Sequence, residues 1–290
     1  QKIAKACWQA QKSIILNIRR KNMLRHDFKR IIYSYGFYIA VALFVVMGIL
    51  QQLSYTDGKA RMLQTFGVTN FGFLNRYIAS TCGDISATQL PFLLPVICAL
   101  PCANFYLQEY KSKYLRNVLL RTSRIQYFLS KVFTSFIAGM AVVLCGEIIL
   151  FLFCLLIDPT SSIPLFQLDL LTDRNFLKTL YENNLPLFSL FESANLILFG
   201  GVYSLLTMCF SALWNNKYLA YSTGFLLSTI VVEEIHRHIA IPYVTSCINI
   251  WALEPSQNNY SEVLFQYAAL ILISLGVYAL FFFRRSKTDV

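Results

Sequence analysis

Hydrophobic and polar positions are distributed unevenly along this chain: long uncharged runs alternate with short, strongly basic ones. Residues 31–50, 85–108, 193–216 and 263–283 contain no Asp, Glu, Lys or Arg. Each reaches roughly the 20 residues that a helix rising 1.5 Å per residue needs to cross about 30 Å of hydrocarbon. Residues 132–157 form another run broken only by Glu147, and 218–232 form a shorter one. The pattern predicts an all-α polytopic membrane protein with six transmembrane helices. A transmembrane β-barrel would show ten-residue segments of alternating polarity, and the sequence has none.

The spacing between and within these runs adds detail. Ile3, Ala6, Ala10, Ile14 and Ile18 recur at helical spacing with lysines elsewhere, predicting an N-terminal amphipathic interface helix anchored by Trp8. Span two carries Pro91, Pro95 and Pro101, which free backbone carbonyls and predict a bend or a displaced start. The intervening segments 51–84 and 158–186 fall on the opposite side from the termini. After span five, "EEIHRH" (233–238) precedes the uncharged stretch 239–253, which is too short for a full crossing and is interrupted by Pro242. A re-entrant stretch between spans five and six fits it. The whole chain, 1–290, then reads as a single transmembrane domain. Residues 1–30 are a cytoplasmic N-terminus without the apolar core of a cleavable signal peptide, 31–283 the bundle, and 284–290 a cytoplasmic tail.

Composition changes this picture little; charge sharpens it. Hydrophobic residues make up 56% of the 290 and charged ones only 14%, far too few to cover a soluble domain of this length. The net charge of +10 would suggest nucleic acid in a soluble protein. Here 19 of the 25 Lys and Arg fall in the two termini, the 109–131 hairpin and the turn 214–217. That is the positive-inside pattern, with both termini cytoplasmic. The basic excess is therefore topogenic and suited to anionic membrane lipid, not to nucleic acid. The 24 Phe and 17 Tyr read first as lipid-facing and interface-belt residues. Five of the eight cysteines (Cys98, Cys102, Cys145, Cys154 and Cys209) fall within spans and read as small hydrophobes. Cys98 and Cys102 share a helix face, but no further ligand is near enough in sequence for a metal site. Cys82 and Cys247 fall on the outer side, which leaves a disulfide between them open.

Catalytic signatures are missing from the sequence. The nearest approach to a Walker motif, "DGKA" at 57–60, lacks both the preceding glycine and the following Ser or Thr. His236 and His238 beside Glu233 and Glu234 do not have zincin order and read as a polar cap on span five. Two carboxylates interrupt apolar stretches: Glu147 near mid-depth in span three and Glu192 nearer the outer end of span four. An ionisable group at such depth is costly and ordinarily faces a bundle interior, a partner or a water-filled path. Both are pathway candidates, Glu192 also reading as a boundary residue. Two isolated carboxylates are not a catalytic constellation, so an intramembrane enzyme is the weakest reading.

The basic run "EYKSKYLRNVLLRTSRIQYFLSK" (109–131) lies between two apolar walls and holds six Lys or Arg. Its Tyr110, Tyr114, Leu115, Val118, Leu119 and Tyr127 recur at about helical spacing, with the bases between them. A helix parallel to the membrane satisfies both sets. Glu109, Leu120, Thr122-Ser123-Arg124, Tyr127 and Lys131 are arranged as an acid closing span two, a leucine, a small-residue turn, an aromatic, and a lysine opening span three. With the six spans, basic N-terminus and re-entrant stretch, this resembles the ABC type-2 permeases, the membrane subunits of exporters. Residue-level similarity is confined to the hairpin.

The resemblance implies that 110–121 is a cytoplasmic coupling helix docked on a separate ABC ATPase subunit, with Glu109, Tyr114, Arg116, Leu120, Arg121, Ser123, Arg124 and Lys131 carrying the coupling. It implies a second permease subunit, identical or related, and a multi-pass location in a cell membrane, the bacterial plasma membrane. No cofactor would reside in this chain, ATP and Mg belonging to the partner. The expected activity is export of a hydrophobic or amphipathic substrate, a peptide or antimicrobial peptide being the leading choice. A membrane-bound peptide sensor or immunity protein that moves nothing is the alternative, separated from it by ATP-dependent flux.

Overall fold

A computed structural model describes residues 24–66, 72–81, 89–103, 105–112, 114–120, 122–157, 159, 180, 183–213, 216–226 and 260–288. Among the described residues the protein is all-helical, with no strand. Helical residues 24–32 lead through a turn into α1 (Tyr35–Phe66), followed by α2 (Gly72–Thr81) and α3 (Gln89–Ala99). The hairpin holds α4 (Phe105–Lys111) and α5 (Tyr114–Leu119). Then come α6 (Arg124–Ile157), α7 (Leu185–Ser211), α8 (Lys217–Leu226) and α9 (Tyr260–Thr288).

Four described helices are long and apolar enough to cross a membrane: Tyr35–Leu53 of α1, all of α6, all of α7, and Tyr267–Arg284 of α9. These coincide with expected spans one, three, four and six. The apolar window of α7 is 72% buried, against 22–33% in the other three, which makes α7 the central helix. The others leave one side uncovered, with Leu43, Val46, Leu144, Ile148, Leu272 and Ile273 exposed. Such a stripe suits lipid tails.

Expected span two is not one helix. It breaks after Ala99, and Leu100–Ala103 form tight turns closed by Leu100 N–H to Ile97 O (3.3 Å) and Cys102 N–H to Ala99 O (3.1 Å). Pro101 has no N–H to continue the ladder, and its ring disfavours helical backbone at Leu100. Pro95 is accommodated inside α3. Cys102 consequently lies in the turn and not on the helix of Cys98, although both are buried.

Two other boundaries differ from expectation. α1 starts only at Tyr35, because Ser34 Oγ accepts from Phe37 N–H (3.3 Å) and donates to Ile31 O (2.8 Å), capping a new helix. It then runs on to Phe66, about 48 Å for its 32 residues, well past the hydrocarbon thickness. Much of segment 51–84, whose structure the sequence left open, is thus helical, as the end of α1 and as α2. α7 begins before the uncharged run 193–216, capped by Asn184, whose Oδ1 accepts from Leu187 N–H (3.1 Å). Of expected span five, α8 covers Lys217–Leu226. The amphipathic stretch 3–18, Cys82, most of 158–186, "EEIHRH", the re-entrant stretch 239–253 and Cys247 lie outside the described residues.

Small residues set the central packing. The most extensive helix contact is between α6 and α7, where Gly139 faces Gly200. A Cβ on Gly200 would sit 2.5 Å from Val143 Cγ2 and 3.0 Å from the Gly139 carbonyl oxygen, so neither position has room for a side chain. Bilayer helices use such glycine contacts to bring backbones close, because lipid tails give apolar side chains no reason to leave them. Around this seam a core forms from Phe44, Val142, Leu150, Leu196, Phe199 and Tyr203 with their neighbours.

Candidate functional site

Three of the apolar runs end at residues that meet in space. Arg30 precedes the run of span one, Glu109 follows that of span two, and Lys131 precedes that of span three. Lys131 Nζ bridges Glu109 Oε1 (2.7 Å) and Asp27 Oδ1 (2.8 Å), while Arg30 Nη1 donates to the same Glu109 oxygen (2.7 Å). Side chains of Lys131, Asp27 and Glu109 are only 5%, 8% and 2% exposed, and that of Arg30 is 32% exposed. Two carboxylates and two cations therefore neutralise one another where the helices leave the apolar region.

The remaining polar atoms are well supplied. Tyr127 OH donates to Glu109 Oε2 (2.5 Å), and Ser130 Oγ donates to Asp27 Oδ2 (3.0 Å). Arg30 Nη2 donates to Gln108 Oε1 (2.9 Å), and its guanidinium lies 4.9 Å above the Phe105 ring. Lys131 Nζ also lies 5.4 Å from the Tyr127 ring centroid. A buried ion pair stabilises only when hydrogen bonds satisfy its remaining lone pairs and protons; this one meets that condition. The clasp ties residues 24–32, α4 and α6 into one unit.

Aromatic packing locks the same unit to α9. The Tyr127 ring stacks on Phe282 (5.5 Å between centroids, 13° between planes), and Phe128 stacks on Tyr278 (4.7 Å, 17°). Tyr106 meets Tyr278 edge-on at 5.8 Å. Tyr106, Tyr127, Tyr278 and Phe282 are fully buried. These aromatics are core and not the lipid-facing belt that composition suggested.

The hairpin departs from the single helix expected over 110–121. α4 stops at Lys111, where Ser112 N–H bonds Gln108 O (3.0 Å) and its hydroxyl takes the Glu109 carbonyl (3.3 Å). A hydroxyl that competes for a helical carbonyl favours such a stop. α5 then makes a fresh start at Tyr114. The expected apolar face exists, but it packs inward: Leu115 is buried, and Tyr110, Val118 and Leu119 pack into the cluster holding Tyr127 and Phe282. Tyr114 is the exception, at 43% exposure.

The structure divides the eight expected coupling residues. Glu109 and Lys131 face inward as the clasp. Tyr114, Arg116, Leu120 and Ser123 are exposed, Leu120 by 71%, and Arg124 is half-buried. Arg121 lies outside the described residues. Sequence reasoning missed Asp27, Arg30, Gln108 and Ser130 as members of this site. One signal was available for Asp27, the only acid among the first 56 residues.

The other expected candidates lie apart from the clasp. Glu147 is buried on α6, and its Oε2 accepts from Tyr77 OH (2.5 Å) on α2; that hydroxyl also lies 2.6 Å from Ser193 Oγ on α7. Nearby in sequence on α7, Asn195 Oδ1 accepts from Tyr267 OH of α9 (3.1 Å). Glu147 thus joins α2, α6 and α7 through hydrogen bonds. Glu192 is half-buried in the second turn of α7.

These features define an α-helical protein with transmembrane-like helices and a braced, basic hairpin at one end of the bundle. No protein-family model matches the chain, and no curated protein shows significant similarity to it.

Proposed function

We propose that this chain is the membrane-spanning permease subunit of an ATP-driven ABC exporter. Its hairpin would receive movement from a separate ATPase subunit and pass it to the spans. The observation that carries this reading is the buried Asp27–Lys131–Glu109–Arg30 clasp. A push on the exposed hairpin face would not be absorbed locally, since α4 is held to α6 and to the segment leading into α1. Coupling of this kind needs an element that moves as a rigid body, not a flexible loop. Tyr114, Arg116, Leu120 and Ser123 offer the contact face, while Glu109 and Lys131 brace it from behind.

On this reading ATP and Mg bind the partner, and two permease subunits enclose the path in a cell membrane. A hydrophobic or amphipathic peptide is the cargo, with Glu147 and Glu192 as pathway positions. The test is affinity purification of the full chain in mild detergent, followed by ATP-dependent flux in vesicles. A Walker-motif ATPase should copurify and should be lost in Arg116→Glu/Leu120→Glu, whose positions are exposed and outside the clasp. A folded wild-type chain with no ATPase attached, or a double variant with normal flux, overturns the proposal.

A further inference from the structure

Beside the clasp runs a groove of about 790 Å³ between residues 24–32 and the α4–α5 hairpin, lined by His26, Arg30, Gln108, Lys111, Tyr114 and Asn117 among others. We propose that this groove holds the phosphate-bearing headgroup of an anionic phospholipid.

Depth is the first argument. Arg30 and Glu109 border the uncharged runs of spans one and two, so the groove opens where hydrocarbon gives way to headgroups. Exposed Tyr33 and Tyr35, 78% and 88% accessible, stand at the start of span one, where interfacial aromatics belong.

Charge is the second. Among the described lining residues Glu109 is the acid, and its charge is already met by Lys131 and Arg30. Arg30, which lines the groove, gives one N–H to Glu109 and one to Gln108 of its five donors. Lys111 and His26 are exposed, and neither belongs to the clasp. The lining thus offers cationic and neutral donors around a space of headgroup size. Basic pockets at the positive end of a helical bundle characteristically take anionic lipid headgroups. Leu107 and Tyr114 supply an apolar wall for the glycerol end.

The inference concerns the isolated chain and does not depend on transport or on an ATPase. The test is thermal unfolding of the full chain in neutral micelles, titrated with phosphatidylglycerol, with phosphatidylcholine, or with inorganic phosphate. Phosphatidylglycerol should raise the midpoint saturably, as a ligand of the folded state does, and the other two should not. Lys111→Gln should weaken the apparent affinity about fivefold, as expected for one basic group near a headgroup. Lys29→Gln, an equal loss of charge at an exposed position outside the groove lining, should leave the affinity unchanged. Equal effects of the two variants would reduce the binding to general surface charge and overturn the site. Equal stabilisation by phosphatidylcholine would overturn the anionic requirement, and stabilisation by phosphate alone would overturn the lipid assignment.

Discussion

Replacing Lys131 by Met tests the clasp most directly. Methionine keeps much of the apolar stem and removes the ammonium that bridges Glu109 at 2.7 Å and Asp27 at 2.8 Å. Glu109 would retain Arg30 and Tyr127, whereas Asp27 would retain, among the described residues, the hydrogen bond from Ser130. Breaking a buried pair by removing one partner costs about 3–5 kcal/mol, mainly from the charge left uncompensated. Because Arg30 still covers Glu109, the expected loss lies near the lower end, about 3 kcal/mol. For a chain of this size each kcal/mol moves the midpoint by about 2 °C, so the fall should be about 6 °C in detergent micelles at fixed scan rate.

The second-site variants make the reasoning sharp. Adding Asp27→Asn to Lys131→Met removes the stranded charge, leaves the Arg30–Glu109 pair intact, and should restore most of the midpoint. Adding Glu109→Gln gives the same net charge but leaves Asp27 and Arg30 each without its ion-pair partner, and should restore little. Circular dichroism follows both. Equal rescue by the two variants, or a Lys131→Met midpoint within about 1 °C of wild type, equivalent to under 1 kcal/mol, would refute the clasp as described.

Further predictions concern the spans and the hairpin. Gly139→Leu should force α6 from α7 at the Gly200 contact and cost about 1–3 kcal/mol or more, measured by the same unfolding assay; a wild-type midpoint would mean that the seam is loose. Tyr77→Phe should remove one hydrogen bond from the buried Glu147 carboxyl and cost about 1–3 kcal/mol, whereas Glu147→Gln keeps an acceptor for Tyr77 and should fold normally. If Glu147 lines the transport path, Glu147→Gln should also lower ATP-driven flux in vesicles; unchanged flux would leave it a packing residue. Phe282→Ala removes a fully buried ring stacked on Tyr127 and should cost about 3–5 kcal/mol, detected as increased protease cleavage of the 112–123 hairpin.

Much of the architecture was legible in one dimension, for a definite reason. A helix satisfies its own backbone, so an uncharged run of sufficient length specifies a spanning element without reference to its neighbours. Hence the runs around α1, α6, α7 and α9 were readable, as was the helical apolar spacing of Leu115, Val118 and Leu119, but not that this face would pack inward. Pro101 announced a disturbance in span two, but not whether the helix would bend or stop.

What the runs could not disclose was how their ends combine. Arg30, Glu109 and Lys131 were each visible as the edge of an apolar stretch, and Asp27 as an isolated acid in a basic tail. That they share one buried site depends on three chain segments converging over separations of 79 and 104 residues. The same holds for Tyr77 and Glu147, which are 70 residues apart. Hydrophobicity is additive along the chain and can be read locally. Pairing of buried charges is a property of distance, which only the packed helices establish.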